Sequence, residues 1–98
     1  MFAYHIRILN RGAVTARLLT RHWVITDGEE RSREVHGEGV VGEQPSIAPG
    51  QEFHYSSGAI LETEVGTMEG SYQMIAEDGT CFDVEVPAFT LAVPRALH

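Results

Sequence analysis

The chain has 98 residues, a net charge of −7 at neutral pH and a pI near 5.0; 43% of its residues are hydrophobic and 21% charged. That length and balance describe one small globular domain with a single modest core and exclude a disordered chain. The acidic balance disfavours non-specific binding to nucleic acid.

Every basic residue is Arg, and Arg7, Arg11, Arg17 and Arg21 all lie in the first quarter of the chain. This asymmetry leaves room for an anionic ligand near the N-terminal strands. Cys81 is the only cysteine, so an intrachain disulfide and a Cys-rich zinc site are excluded, and a reducing compartment is expected. The N-terminus has no apolar core of a signal peptide, and no apolar run approaches the ~20 residues of a membrane span. The expected location is therefore the cytoplasm, with no membrane partner.

In chain order, "FAYHIRIL" alternates apolar and polar residues and predicts a half-buried strand, followed by a tight turn at Asn10–Gly12. Val14 to Thr26 predicts a long strand, and the adjacent Leu18 and Leu19 break its alternation, which predicts a bulge or a change of sheet. Asp27-Gly28 predicts a hairpin, and the polar, Gly-rich "RSREVHGEG" a return strand at a sheet edge. Pro49-Gly50 predicts a type II turn that launches a strand with Phe53 and Tyr55 on one face. Met68, Tyr72 and Met74 then alternate inward, Asp78-Gly79 turns the chain, and Phe82, Val84 and Val86 are expected inward on the partner strand. Pro87 is expected to end that pairing, with Phe89 and Leu91 resuming after it. Six or seven short strands with regular turn signals predict an all-β antiparallel sandwich.

Gly37, Gly39 and Gly42 have the G-x-G-x-x-G spacing of a dinucleotide-binding loop. The context fails that motif. The lead-in "REVHGE" is polar, "EQPSIAPG" contains two prolines and cannot open a helix, and Glu38 and Glu43 would repel phosphate. The glycines are expected to supply positive φ or close backbone approach in a loop between sheets.

Trp23 is expected in the core. Arg21 shares its parity and would point inward; Glu43 is a candidate partner for its charge. No H-x-x-x-H spacing links His5, His22, His36, His54 and His98, but His5, His22 and His54 would form a metal site if their strands were neighbours on one face. Ser56 lies two residues beyond His54, too far along a strand for a direct hydrogen bond, with no third orienting group. Cys81 reads as an ordinary thiol, and Glu62, Glu64 and Glu69 as a solvated face.

The motifs "RHW", "GVVGEQP", "PG-x-x-F-x-Y-x-SG", "G-x-M-x-G-x-Y-x-M" and "P-A-F-x-L", spread over nearly the whole chain, resemble those of the ApaG domain family. The resemblance implies an immunoglobulin- or fibronectin type III-like sandwich with no catalytic activity and no cofactor. It also implies a link with cobalt and magnesium tolerance in bacteria, and protein binding in eukaryotic members. Family members usually carry a further strand before the position of Met1. Its absence would leave an open sheet edge and a tendency to homo-oligomerise.

The expected function is thus a non-enzymatic protein-interaction module. Its contact residues would come from the glycine loop (Gly37, Gly39, Val40, Val41, Gly42 and Glu43) and Arg21, with Val40 and Val41 presenting an apolar contact to another protein. The alternative is a small-molecule or anion-binding domain, with nucleotide or pyrophosphate held by that loop and the N-terminal arginines.

Overall fold

The computed structural model describes residues 2–92; His98 lies outside the described residues. Seven strands follow in order: β1 (Phe2–Leu9), β2 (Ala16–Asp27), β3 (Ser32–Glu38), β4 (Ser46–Ile47), β5 (Glu52–Ala59), β6 (Val65–Ala76) and β7 (Cys81–Ala92). β1 and β5 form a two-stranded antiparallel sheet, and the second sheet runs β3-β2-β6-β7, with the short β4 also pairing β2. Every pairing is antiparallel. The fold is an antiparallel β-sandwich.

The core lies between the sheets. Leu18, Trp23, Ile25, Met68, Tyr72, Met74 and Leu91 enter it from the larger sheet, and Phe2, Tyr55 and Ala59 from the smaller one. Aromatic edges hold the layers together: Tyr4 of the small sheet meets Trp23 edge-on with centroids 6.1 Å apart, and Trp23 meets Tyr72 the same way at 5.8 Å. Such pairs contribute roughly 0.5–1.5 kcal/mol each beyond their buried area. The hydroxyls of Tyr55 and Tyr72 hydrogen-bond to each other inside the core.

The predicted bulge is present. The β2–β6 register shifts between Leu18 and Thr20, which leaves Leu19 outside the ladder. Its carbonyl accepts hydrogen bonds from the Gly39 amide at 2.8 Å and from Gln44 Nε2 at 2.9 Å. The bulge is therefore the point where the glycine loop docks. β3 pairs with one end of β2 and β4 with the other, and the loop bridges the gap on that same side.

The β2–β3 hairpin forms as expected, but its turn is longer than Asp27-Gly28. The Asp27 amide donates to the Arg31 carbonyl, and the loop Gly28-Glu29-Glu30 places Glu30 at φ +66°. The β6–β7 hairpin has the same construction, with Gly79 at φ +90° in the corresponding position. The type II turn at Pro49-Gly50 is as expected, with Gly50 at φ +81° and the Gln51 amide bonded to the Ala48 carbonyl.

Two expectations about β7 need correction. Pro87 interrupts the ladder without ending the strand: pairing passes from Gly70↔Val86 to Met68↔Phe89 across a bulge, which also switches the parity of the inward residues. Phe82 and Val84 do lie beside Met74 and Tyr72 on the core side, yet they are 39% and 37% exposed. Among the described residues the opposing sheet has two strands, β1 and β5, which leave them partly uncovered.

Candidate functional site

The glycine loop is a tight hairpin. Val40 and Glu43 exchange both amide–carbonyl bonds, at 2.8 and 2.9 Å, around the two-residue turn Val41-Gly42. Val41 has φ +42° and Gly42 φ +81°, so both central residues are left-handed, as in a type I′ turn. Gly39, at φ +64°, closes against the turn so tightly that a Cβ there would lie 2.1 Å from the Glu43 carbonyl oxygen. Gln44 ties the loop to β2: its carbonyl and side-chain oxygen accept from Arg17 at 3.0 and 3.3 Å.

These bonds define what the glycine motif does. The amides of Gly39, Val40 and Glu43 are already donated within the protein. No helix follows the loop among the described residues. Both features depart from a phosphate-cradling loop.

The two valines of the loop have separate roles. Val40 is buried in the core, so its expected part as an exposed contact is corrected; the alternation of the hairpin turns it inward. Val41, at the tip, is 53% exposed.

Arg21 points into the space between the sheets, but its partner is not Glu43. One guanidinium nitrogen, Nη1, donates to the carbonyls of Glu38 at 3.1 Å and Gly39 at 2.8 Å. No ion pair joins Arg21 to Glu43, whose backbone N–H and C=O bond to Val40 across the hairpin. Gly37 makes the seat: a Cβ there would lie 2.7 Å from the guanidinium carbon. No carboxylate pairs with Arg21 among the described residues. Its positive charge therefore rests on carbonyl dipoles alone.

Arg21 stands at the centre of a cleft on the side of the sandwich where β3 and β5 end their sheets. A cavity of about 400 Å³ is lined by Tyr4, Arg21, Trp23, Arg33, Val35 and the β5 stretch from Ser57, continuing to Ile60. It shares Tyr4, Arg21 and Ser57 with a neighbour of about 260 Å³ that reaches Val41 and Gly42. It shares Ile25, Arg33 and Ile60 with another of about 300 Å³ that reaches Asp27 and Glu62. The three are contiguous and form one trough, lined by aromatic and Arg side chains and also by the acids Asp27, Glu38 and Glu62. Ile60, 65% exposed, and Val41 are the two most exposed large hydrophobic side chains among the described residues, and both stand on its rim. The Trp23 indole N–H, buried beside the trough, has no acceptor among the described residues. Burial pushes the Tyr55 hydroxyl up to about 12, against the hydrogen bond from Tyr72, and burial and the same bond push Tyr72 up as well. Both phenols stay neutral in ordinary conditions.

The expected histidine triad is split. His5 and His54 lie on neighbouring strands β1 and β5, and their rings touch through His5 Nε2 and His54 Nδ1 at 3.2 Å. His22 lies on β2, on the face opposite Trp23, and stacks on His36 of β3 at 4.3 Å. His22 and the other pair thus sit on the outward faces of different sheets. Ser56 meets His5, not His54: Oγ and Nδ1 are 2.9 Å apart, and Glu52 holds His54 Nε2 at 2.9 Å. This Ser56–His5–His54–Glu52 chain supplies the orienting group that spacing alone did not reveal, but it lies on an exposed sheet face and lines none of the trough.

The trough residues Tyr4, Arg33, Ser57 and Ile60 escaped the sequence reading. Only the pairing of β1 with β5, and the edge position of both β5 and β3, brings them together. No helix of the described residues is long and apolar enough to cross a membrane.

Comparison with known proteins places this architecture. The chain is 65% identical to the protein ApaG of Aromatoleum aromaticum, over all of this chain and 77% of that protein. It is 64% identical to the protein ApaG of an Azoarcus species, over the same shares. The crystal structure of an ApaA protein of Bordetella pertussis superposes with a TM-score of 0.91 at 52% identity, covering 96% of this chain and 76% of that one. An X-ray structure of a structural-genomics target superposes with a TM-score of 0.94 at 46% identity, covering 98% and 73%. The sequence description of the ApaG domain matches residues 1–76, and the chain belongs to the ApaG domain family.

Proposed function

We propose that the domain is a non-enzymatic protein-interaction module that takes an extended, acidic segment of another protein into the trough between β3 and β5. The observation that carries this reading is the composition of the trough. Two exposed apolar side chains, Val41 and Ile60, rim a floor in which Arg21 has no carboxylate partner among the described residues. Exposed apolar groups on a polar rim mark contact surfaces. A half-buried guanidinium held by carbonyls retains free donors in the planar geometry that matches a carboxylate. Among the described residues β5 pairs only with β1, so its other edge offers backbone groups for an added strand.

A peptide-display selection of random 12-residue peptides, with the winners measured by calorimetry, tests this. Enriched peptides should carry Asp or Glu, and both Ile60→Asp and Arg21→Gln should weaken them at least tenfold in folded protein. Absence of enrichment, or binding indifferent to both variants, would refute the reading.

A second reading is favoured by Arg21 alone: a small anion held at the guanidinium. Titration with inorganic pyrophosphate separates the two. Binding lost in Arg21→Gln but unaffected by Ile60→Asp would support the anion and not the segment.

A further inference from the structure

We propose that His22, Glu34 and His36 form a binding site for a divalent metal ion of the zinc or nickel type, on the outer face of the β2–β3 hairpin. The register makes the cluster. His22 and His36 are directly paired across the two strands, and Glu34 lies two residues before His36, on the same face. The three donors therefore project from one rigid ladder, and each can offer one ligand atom within 4.8 Å of the others.

The distances fit a metal. A tetrahedral ion with bonds near 2.0–2.1 Å sets its ligand atoms about 3.3 Å apart. Glu34 Oε1 already lies 2.9 Å from His22 Nε2 and 3.4 Å from His36 Nε2. The two imidazoles are stacked and near-parallel, 14° apart, so each ring must rotate out of the stack for both nitrogens to converge on one ion. Glu34 and His36 are exposed, which leaves that rotation free and leaves open positions for water or a further ligand. Two imidazoles with one carboxylate select borderline ions over calcium, which takes all-oxygen shells. Nε2 of both histidines faces the same carboxylate oxygen. An ion there would be held by the Nδ1–H tautomers, with each Nε2 lone pair free to bind it.

Isothermal titration of the full chain with zinc chloride, nickel chloride and calcium chloride, in a non-coordinating buffer, tests the site. Zinc and nickel should bind with a stoichiometry of one, and calcium should give no heat. His36→Ala and Glu34→Gln should each weaken zinc by more than the roughly 10–100-fold that loss of an outer-shell partner costs. His54→Ala, on the other sheet, should leave affinity unchanged. Circular dichroism confirms folding of each variant, and histidine ring shifts in the NMR spectrum of the wild type give a readout independent of mutation. Zinc should move His22 and His36 and leave His5 and His54 in place. Absence of zinc binding, binding retained in His36→Ala, loss in His54→Ala, or shifts centred on His5 and His54 would overturn the assignment.

Discussion

Val41 is a β-branched residue held at φ +42° with half its side chain in solvent. Left-handed backbone costs an L-residue roughly 1–2 kcal/mol, and β-branching places Val at the upper end. Asn tolerates this conformation, and Asn-Gly is the preferred pair for a type I′ turn. Val41→Asn thus relieves up to about 2 kcal/mol of strain. Against this stands the loss of a half-buried Val, about 1 kcal/mol from the 1.5–3 kcal/mol of a fully buried aliphatic side chain. The expected net gain is about 1 kcal/mol, a rise in Tm of roughly 4–8 °C for a domain of this size. Urea unfolding followed by Trp23 fluorescence, with a thermal scan, measures it. Peptide binding should weaken in the same variant, because the apolar tip is lost from the trough rim. Unchanged or lower stability would show that the turn is not strained.

Other outcomes follow from the same geometry. Gly39→Ala forces a Cβ onto the Glu43 carbonyl at positive φ, so the loop must open; a loss of about 2–5 kcal/mol is expected in chemical denaturation, from backbone strain plus overpacking. Glu30→Gly places at the β2–β3 turn the residue that Gly79 supplies in the β6–β7 turn, and should raise stability by about 0.5–1 kcal/mol by the same assay. At Asp27, partial burial raises the carboxyl pKa but is outweighed by hydrogen bonds from the Arg31 and Glu29 amides and from the Arg31 side chain, so the net shift is downward. Its folded value lies below its unfolded one. The stabilisation is therefore complete at neutral pH and disappears as pH falls below about 4. Asp27→Asn should flatten the acid limb of the stability profile. Tyr55 titrates higher in the folded chain, near 12, so stability should fall as pH rises from about 10 towards 12, with phenolate absorbance appearing together with unfolding.

Local chemistry was legible in the sequence where a single residue pair determines the backbone. Adjacent Leu18 and Leu19 gave away the bulge, and Pro49-Gly50 its turn. Period-two alternation placed Trp23, Met68, Tyr72 and Met74 inward. Pairings between distant strands were not legible, because alternation names a buried face but not the strand beside it. The union of β1 with β5 decides that His5 meets His54 and that Phe82 and Val84 remain half-covered. The His22–His36 contact hung on turn length. A two-residue turn at Asp27-Gly28 would pair His22 with Arg33, whereas the longer loop pairs it with His36. The parity of Arg21 with Trp23 points it inward, but its carbonyl partners depend on how the loop folds back over Gly37. The ApaG motifs carried the family without indicating where a partner would sit.

We propose the trough between β3 and β5 as the recognition surface. Its most direct test is an NMR titration of the ¹⁵N-labelled domain with a selected acidic 12-residue peptide. Amide shifts should concentrate in Ser57 to Ile60, Arg33, Arg21 and the Val41-Gly42 turn, with new protection from hydrogen exchange along the open edge of β5. Shifts centred on β7 around Phe82 and Val84, or on the outer histidine faces, would contradict the account.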